Sequence, residues 1–147
     1  MRVRSAEARD FDAVTDLLAE QLGRSPVTDE TREACRAVYD DQLADSAADH
    51  LVAEDDAGRV VGFCSLHFRP RLNEPRPQGW VPDLVVHEDA RRGGAGQALL
   101  EEAERRARAA GCETFTLESG FQRTDAHRLY ERMGMAKPGW YFAKRLG

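Results

Sequence analysis

The chain has 147 residues, 41% hydrophobic and 32% charged, with 21 basic against 26 acidic side chains and a net charge of −5. That size and balance suit one globular domain spanning 1–147, able to bury a core without disulfides or structural metal, and exclude wholesale disorder. The acidic balance argues against general nucleic-acid binding, and the apolar runs are too short for a membrane span. No signal core follows the N-terminus, so a reducing cytoplasm is the expected location.

Residues 1–7 suit a short first strand. Asp10 stands at an N-cap position, and Phe11, Val14, Leu17, Leu18 and Leu22 recur at helical spacing up to Gly23. A weaker helix is expected over 29–46, with Ala34, Val38 and Leu43 inward. Residues 51–54 and 60–68 read as a hairpin around Asp55-Asp56-Ala57-Gly58. The stretch 69–79 holds Pro70, Pro75 and Pro77 and reads as a loop at a pocket edge. A buried strand is expected over 81–86. The helix 96–110 follows, with Leu99, Ala103, Ala107 and Ala110 on one face. It carries three i,i+4 pairs, Glu101–Arg105, Glu102–Arg106 and Glu104–Arg108. Gly111 closes it before a strand over 114–119. Thr124 or Asp125 caps a short helix ended by Gly134, and 140–146 alternates as a last strand. Strand 81–86, helix 96–110 and strand 114–119 form a βαβ unit in a mixed α/β sheet. Three cysteines without C-x-x-C spacing argue against a disulfide framework or zinc site. Cys64 and Cys112 read as small core residues, and no metal is expected.

The turn Arg91-Arg92-Gly93-Gly94-Ala95-Gly96 precedes the third helix, and residues 91–97 contain no Ser, Thr, Asp or Asn. The helix therefore starts without an oxygen side chain to cap its first N–H groups, and its acidic residues are held back to Glu101. Free donors, the positive end of the dipole and two arginines suit a phosphate, and glycines let its oxygens approach the backbone. The plain alternative is a tight turn with water on the N–H groups and solvated arginines. A Walker loop is excluded because Gln97-Ala98 follows Gly96. A dinucleotide fingerprint starting at Gly94 fails at Leu99.

Arg91-x-x-Gly94-x-Gly96 resembles the coenzyme A pyrophosphate loop of the GNAT superfamily of N-acetyltransferases. The surroundings are similar too: Asp83-Leu84-Val85-Val86 before it, Ala98-Leu99-Leu100 after it, Gly111-Cys112 ahead of a strand, and Ala126-x-x-x-Tyr130-x-x-x-Gly134-Met135. The resemblance implies a single-domain GNAT-like fold. Its mixed, mostly antiparallel central sheet is splayed between strands four and five and flanked by helices. It also implies acetyl-CoA as co-substrate and a primary amine as acceptor.

That chemistry sets requirements. An alkyl ammonium has a pKa of about 10.4, so at neutral pH roughly one amine in several thousand is nucleophilic, and a general base is useful. The attacked carbonyl wants N–H donors, and the departing thiolate a proton. The resemblance assigns Leu84, Val85 and Val86 to the pantetheine arm, and Arg91, Arg92, Gly93, Gly94, Ala95, Gly96 and Gln97 to the diphosphate. It makes Tyr130 the acid. Tyr130 alternatively packs beside Leu129 and Met133. Two carboxylates compete as base. Glu118 lies twelve residues before Tyr130, a spacing similar to that in ribosomal-protein N-terminal acetyltransferases. It shares a strand face with Thr114 and Thr116. Asp83 is a carboxylate within an apolar strand. Each alternatively makes a structural hydrogen bond or contacts the substrate ammonium.

One position departs from the family pattern. Arg123 stands where many members carry Asn, within a Ser119-Gly120-x-x-Arg123-x-x-Ala126-His127 run. That run is similar to one in a subset that includes aminoalkylphosphonate acetyltransferase-like proteins. Arg123 is assigned to the 3′-phosphate or to an anionic acceptor. The expected function is acetyl transfer to a small-molecule amine in a ternary complex. A protein N-terminal or lysine acetyltransferase, and a regulatory module that binds acyl-CoA without turnover, stay open. Homodimers are frequent in the family, and Trp80, Trp140 and Tyr141 could serve such an interface or line the core or pocket.

Overall fold

The computed structural model describes residues 1–118 and 124–147. They fall into two compact units, Met1–Leu117 and Glu118–Gly147. The first runs β1 (Arg2–Ser5), α1 (Phe11–Leu22), α2 (Arg32–Ala44), β2 (Leu51–Glu54), β3 (Val60–Cys64), β4 (His67–Arg69), β5 (Gln78–Val81), β6 (Leu84–Val86), α3 (Ala95–Ala109) and β7 (Thr114–Leu117). The second holds α4 (Thr124–Arg132). Among the described residues no helix is long and apolar enough to cross a membrane.

Strands β1-β2-β3-β6 pair antiparallel in that order, and β4-β5-β7 form a second group in which β5 and β7 are parallel. The expected single strands 60–68 and 81–86 are each broken in two, and the second starts early, at Gln78, inside the expected loop. The two breaks face each other. The Ser65 N–H donates to the Asp83 carbonyl at 2.9 Å, and the Asp83 N–H donates to Ser65 Oγ at 2.9 Å. Pro82, with no N–H, cannot carry a ladder across. β5 therefore belongs with β4 and β7, whereas β6 has β3 as its strand neighbour among the described residues. The β5–β7 pairing ends at Val81↔Leu117. The parallel half of the βαβ unit is β5 rather than the whole of 81–86.

Alternation along the strands divides the core. Val52, Phe63 and Val85 turn toward Val14 and Leu17 of α1. On the other face Gly62 and Gly79 admit α3: a Cβ on them would stand 2.9 Å from Leu99 Cδ1 and 2.9 Å from Ala107 Cβ respectively. The buried stripe of α3 is Ala95, Leu99, Leu100, Ala103 and Ala107; Ala110, expected inward, is exposed because the helix ends at Ala109. Of its expected ion pairs, Glu102–Arg106 and Glu104–Arg108 form. Arg105 turns instead to Glu102 at 2.6 Å, and Glu101 accepts from Gln97 at 2.8 Å. Cys64 is buried, and burial raises its thiol pKa, whereas Cys112 is only partly buried.

Two helix readings need correction. Asp10 does not cap α1 with its side chain; its carboxylate is drawn to the Arg4 guanidinium at 2.7 and 2.9 Å and to the Glu7 N–H at 2.8 Å. In α2, Ala34 and Val38 are exposed and Tyr39 is the buried residue. Tyr39 packs edge-on against Phe11 and donates its hydroxyl to the Glu7 carbonyl at 2.6 Å. Burial comes first in pushing its pKa up to about 12.

His50 joins α2 to the strand break. Its Nδ1 accepts the Leu66 N–H at 3.0 Å, which leaves Nε2–H to donate to Gln42 Oε1 at 2.6 Å. Burial, then the neighbouring His67, push its pKa down to about 4. The unfolded imidazole titrates near about 6.5. Between those values the unfolded chain binds a proton that the folded chain refuses, so stability falls as pH drops from about 6.5 to about 4, by about 3 kcal/mol. Urea midpoints should decline across that window, and His50→Gln should flatten the decline. An unchanged slope contradicts the assignment.

The second unit contains α4, which ends as the sequence suggests. Gly134 adopts φ +83°, and the Met135 N–H donates to the Tyr130 carbonyl at 3.0 Å. The cap position before Thr124 lies outside the described residues. Segment 140–146 is not a strand; Tyr141, Phe142 and Leu146 are exposed. Alternation states which side chains would share a face, but not that a ladder forms.

Candidate active site

The start of α3 is built by the chain's own punctuation. After β6 the 3-10 turn Glu88–Gly93 ends on Gly94, whose φ of +80° reverses the backbone into Ala95. The first intrahelical bond runs from the Ala98 N–H to the Gly94 carbonyl at 3.0 Å. The N–H groups of Ala95, Gly96 and Gln97 thus precede the helical ladder. No side chain caps them, and the first turn contains no acidic residue. A Cβ on Gly93 or Gly94 would meet nothing within 4 Å, so the space over this turn is open. Gly94→Ala should lower stability by about 1 kcal/mol through backbone strain alone. Gly93→Ala, which needs no left-handed φ, should stay within about 0.5 kcal/mol of the parent. Equal urea midpoints for the two variants would contradict this account of the turn.

The two arginines differ. Arg91 donates from Nε to the Val86 carbonyl at 3.3 Å and from a terminal nitrogen to Gln21 Oε1 at 2.9 Å, bracing the turn against β6 and α1. Arg92 is exposed on the same turn. Ala95 is fully buried, backbone included, whereas Gly96 is partly buried and Gln97 exposed.

The side chains of Leu84, Val85 and Val86 are buried, leaving the backbone as what β6 can offer. Asp83 immediately precedes them at the strand break. Its backbone is clasped by Ser65, and its carboxylate accepts from Arg24 at 2.8 Å. The carboxylate expected within strand 81–86 therefore stands between two strands, and its charge is paired with Arg24. The structure thus gathers Asp83, β6 and the residue 91–97 turn in one unit. Glu118 directly follows Leu117, and Tyr130 lies on α4 with its ring centroid 6.4 Å from that of His127. Arg123 lies outside the described residues. Trp80, considered for an interface, is partly buried against His67 and beneath the Arg69 guanidinium at 4.2 Å.

Three contributors escaped sequence reading: Ser65, Gln21 and Arg24. Ser65 had a signal, being the sole hydroxyl within the apolar run 60–66. Gln21 and Arg24 had none, since their partners lie 70 and 59 residues away.

The model of the Acetyltransferase (GNAT) family matches residues 11–135. An aminoalkylphosphonate N-acetyltransferase of Salmonella typhimurium is 33% identical over 144 residues, 98% of this chain and 90% of that protein. Among solved structures, a transcriptional regulator from Bacillus halodurans C-125 superposes with a TM-score of 0.89 at 23% identity, covering 99% of both chains. AAC(6')-Iy in complex with the bisubstrate analogue CoA-S-monomethyl-acetylneamine gives 0.80 at 16% identity, over 98% of this chain and 96% of that one. These structural likenesses carry the fold.

Proposed function

Because the chain belongs to the GNAT acetyltransferase family, we propose that it moves the acetyl group of acetyl-CoA to the primary amine of a small zwitterionic acceptor. The whole span 1–147 acts as one acetyltransferase domain. The observation that carries the co-substrate is the start of α3: N–H groups ahead of the ladder, no side-chain cap, no acidic residue in the first helical turn, and open space over Gly93 and Gly94. That donor set suits a diphosphate. The acceptor class is supported by the likeness to the Salmonella aminoalkylphosphonate N-acetyltransferase.

Acetyl-CoA supplies an acyl group on a good leaving sulfur. The chain's residues do the rest. The N–H groups of Gly96 and Gln97, with Arg92, hold the diphosphate, Gly93 and Gly94 leave it room, and buried Ala95 anchors the first turn beneath it. Arg91 keeps the turn in place. The Leu84, Val85 and Val86 backbone orients the pantetheine arm and the thioester carbonyl, and the family resemblance offers Arg123 to the 3′-phosphate. Asp83 holds the acceptor's ammonium, Glu118 takes its proton, and Tyr130 delivers a proton to the departing sulfur. Direct transfer needs no nucleophilic cysteine.

A thiol-release assay with acetyl-CoA against 2-aminoethylphosphonate, simple alkylamines, and peptides with free N-termini or lysines tests this. Turnover of the small zwitterion above the peptides is expected. Turnover confined to peptides contradicts the acceptor class.

A further inference from the structure

Two arginine–carboxylate pairs in the first unit differ in character. The Arg4–Asp10 pair is sealed, with side chains 8% and 4% exposed. The Arg24–Asp83 pair is open, at 56% and 24%. An open pair contributes little to stability, yet both of its ends are fixed by backbone devices. Arg24 follows Gly23, whose φ of +67° ends α1, and the Arg24 N–H donates to the Leu18 carbonyl at 3.1 Å. Asp83 is gripped at its N–H and carbonyl by Ser65. Only one guanidinium nitrogen of Arg24 engages Asp83, at 2.8 Å. Asp83 stands one residue before β6.

Resting on the proposed function, we infer that Arg24 and Asp83 select the acceptor by exchanging partners with it. A short zwitterion enters between them; its ammonium takes Asp83, and its anionic group takes the Arg24 guanidinium. Both charges then leave one partner for another, and none is stranded. A simple alkylamine has the ammonium but no anion. On taking Asp83 it strips Arg24 of its partner and sets two cations beside each other, an arrangement that rejects it. A guanidinium fork also matches the planar or tetrahedral oxygens of a carboxylate, phosphonate or phosphate better than an ammonium would. Arg24 is thus a specificity-determining residue, placed by the end of α1 rather than by the strands.

The test compares kcat/KM for 2-aminoethylphosphonate and for n-propylamine, in the full-length parent, Arg24→Gln and Arg24→Lys. The parent should prefer the zwitterion. The preference ratio should fall about 10- to 100-fold in Arg24→Gln, the worth of a charge-assisted contact, and be largely restored by Arg24→Lys. A merely structural role would depress both amines together and leave the ratio alone. Thiol release with an unchanged ratio in Arg24→Gln, or a parent preference for n-propylamine, overturns this inference and leaves acetyl transfer standing. Absence of thiol release with either amine overturns the proposed function and this inference with it.

Discussion

Tyr130→Phe is expected to lower kcat about 100-fold or more while leaving KM for acetyl-CoA nearly unchanged. The reason lies in the timing of charge. Before attack the thioester sulfur is neutral and gains nothing from a phenol. As the carbon–sulfur bond breaks, a thiolate forms, and a positioned proton donor stabilises that state selectively. Removing one hydroxyl therefore touches the rate and spares ground-state affinity. Tyr130 is suitably rooted: α4 ends just beyond it, with its carbonyl taking N–H groups from Met133 at 3.1 Å and Met135 at 3.0 Å. Steady-state kinetics at saturating acceptor checks the split. A kcat within about twofold of the parent contradicts the acid role, and a regulatory acyl-CoA-binding module becomes the better reading.

The largest stability effect is expected at Arg4. Its guanidinium holds both oxygens of the buried Asp10, at 2.7 and 2.9 Å, and reaches Glu54 at 2.6 Å. Arg4→Met leaves Asp10 charged and buried, which should lower unfolding stability by about 3–5 kcal/mol and the Tm by about 10 °C. Arg4→Met combined with Asp10→Leu should recover much of that loss, because it removes the stranded charge along with its partner. Burial opposes ionisation of Asp10, but the Arg4 bonds, the Glu7 N–H and the arginine charges outweigh it and hold its pKa below the usual carboxylate range. The pair's contribution is therefore present above about pH 4, the unfolded value, and fades as acid protonates the folded carboxylate. Urea titrations of the single and double variants decide the point. A single variant losing under about 1 kcal/mol contradicts the reading of Arg4–Asp10 as a closed pair.

Local signals in this chain were legible where they were strong. α1 was readable from the spacing of Phe11, Val14 and Leu17 and its glycine stop, and the uncapped start of α3 from the absence of short polar side chains over 91–97. The resemblance built on Arg91, Gly94, Gly96 and Tyr130 holds for family, fold and enzyme class. Several misreadings depend on partners that residue spacing does not disclose. The strand breaks at Ser65 and Asp83 exist because each residue bonds the other across 18 positions. Asp10 has the right type for a cap and the wrong neighbour, since Arg4 outbids the helix N–H groups. Val38 fits the apolar stripe of a helix, but Tyr39 takes the inward position, where its ring meets Phe11 and its hydroxyl finds a carbonyl. Likewise Asp83 was visible as an odd charge, and its meaning emerged only with Arg24 beside it.

Every step of the acetyl-transfer account starts from a diphosphate held at the head of α3. Calorimetric titration of the full-length protein with acetyl-CoA measures this most directly. The account predicts saturable binding with one molecule per chain, an accompanying rise in Tm, and weakening of both when Gly96→Asp places a carboxylate among the three leading N–H groups. No heat and no thermal shift at millimolar acetyl-CoA, or undiminished binding by Gly96→Asp, would contradict it.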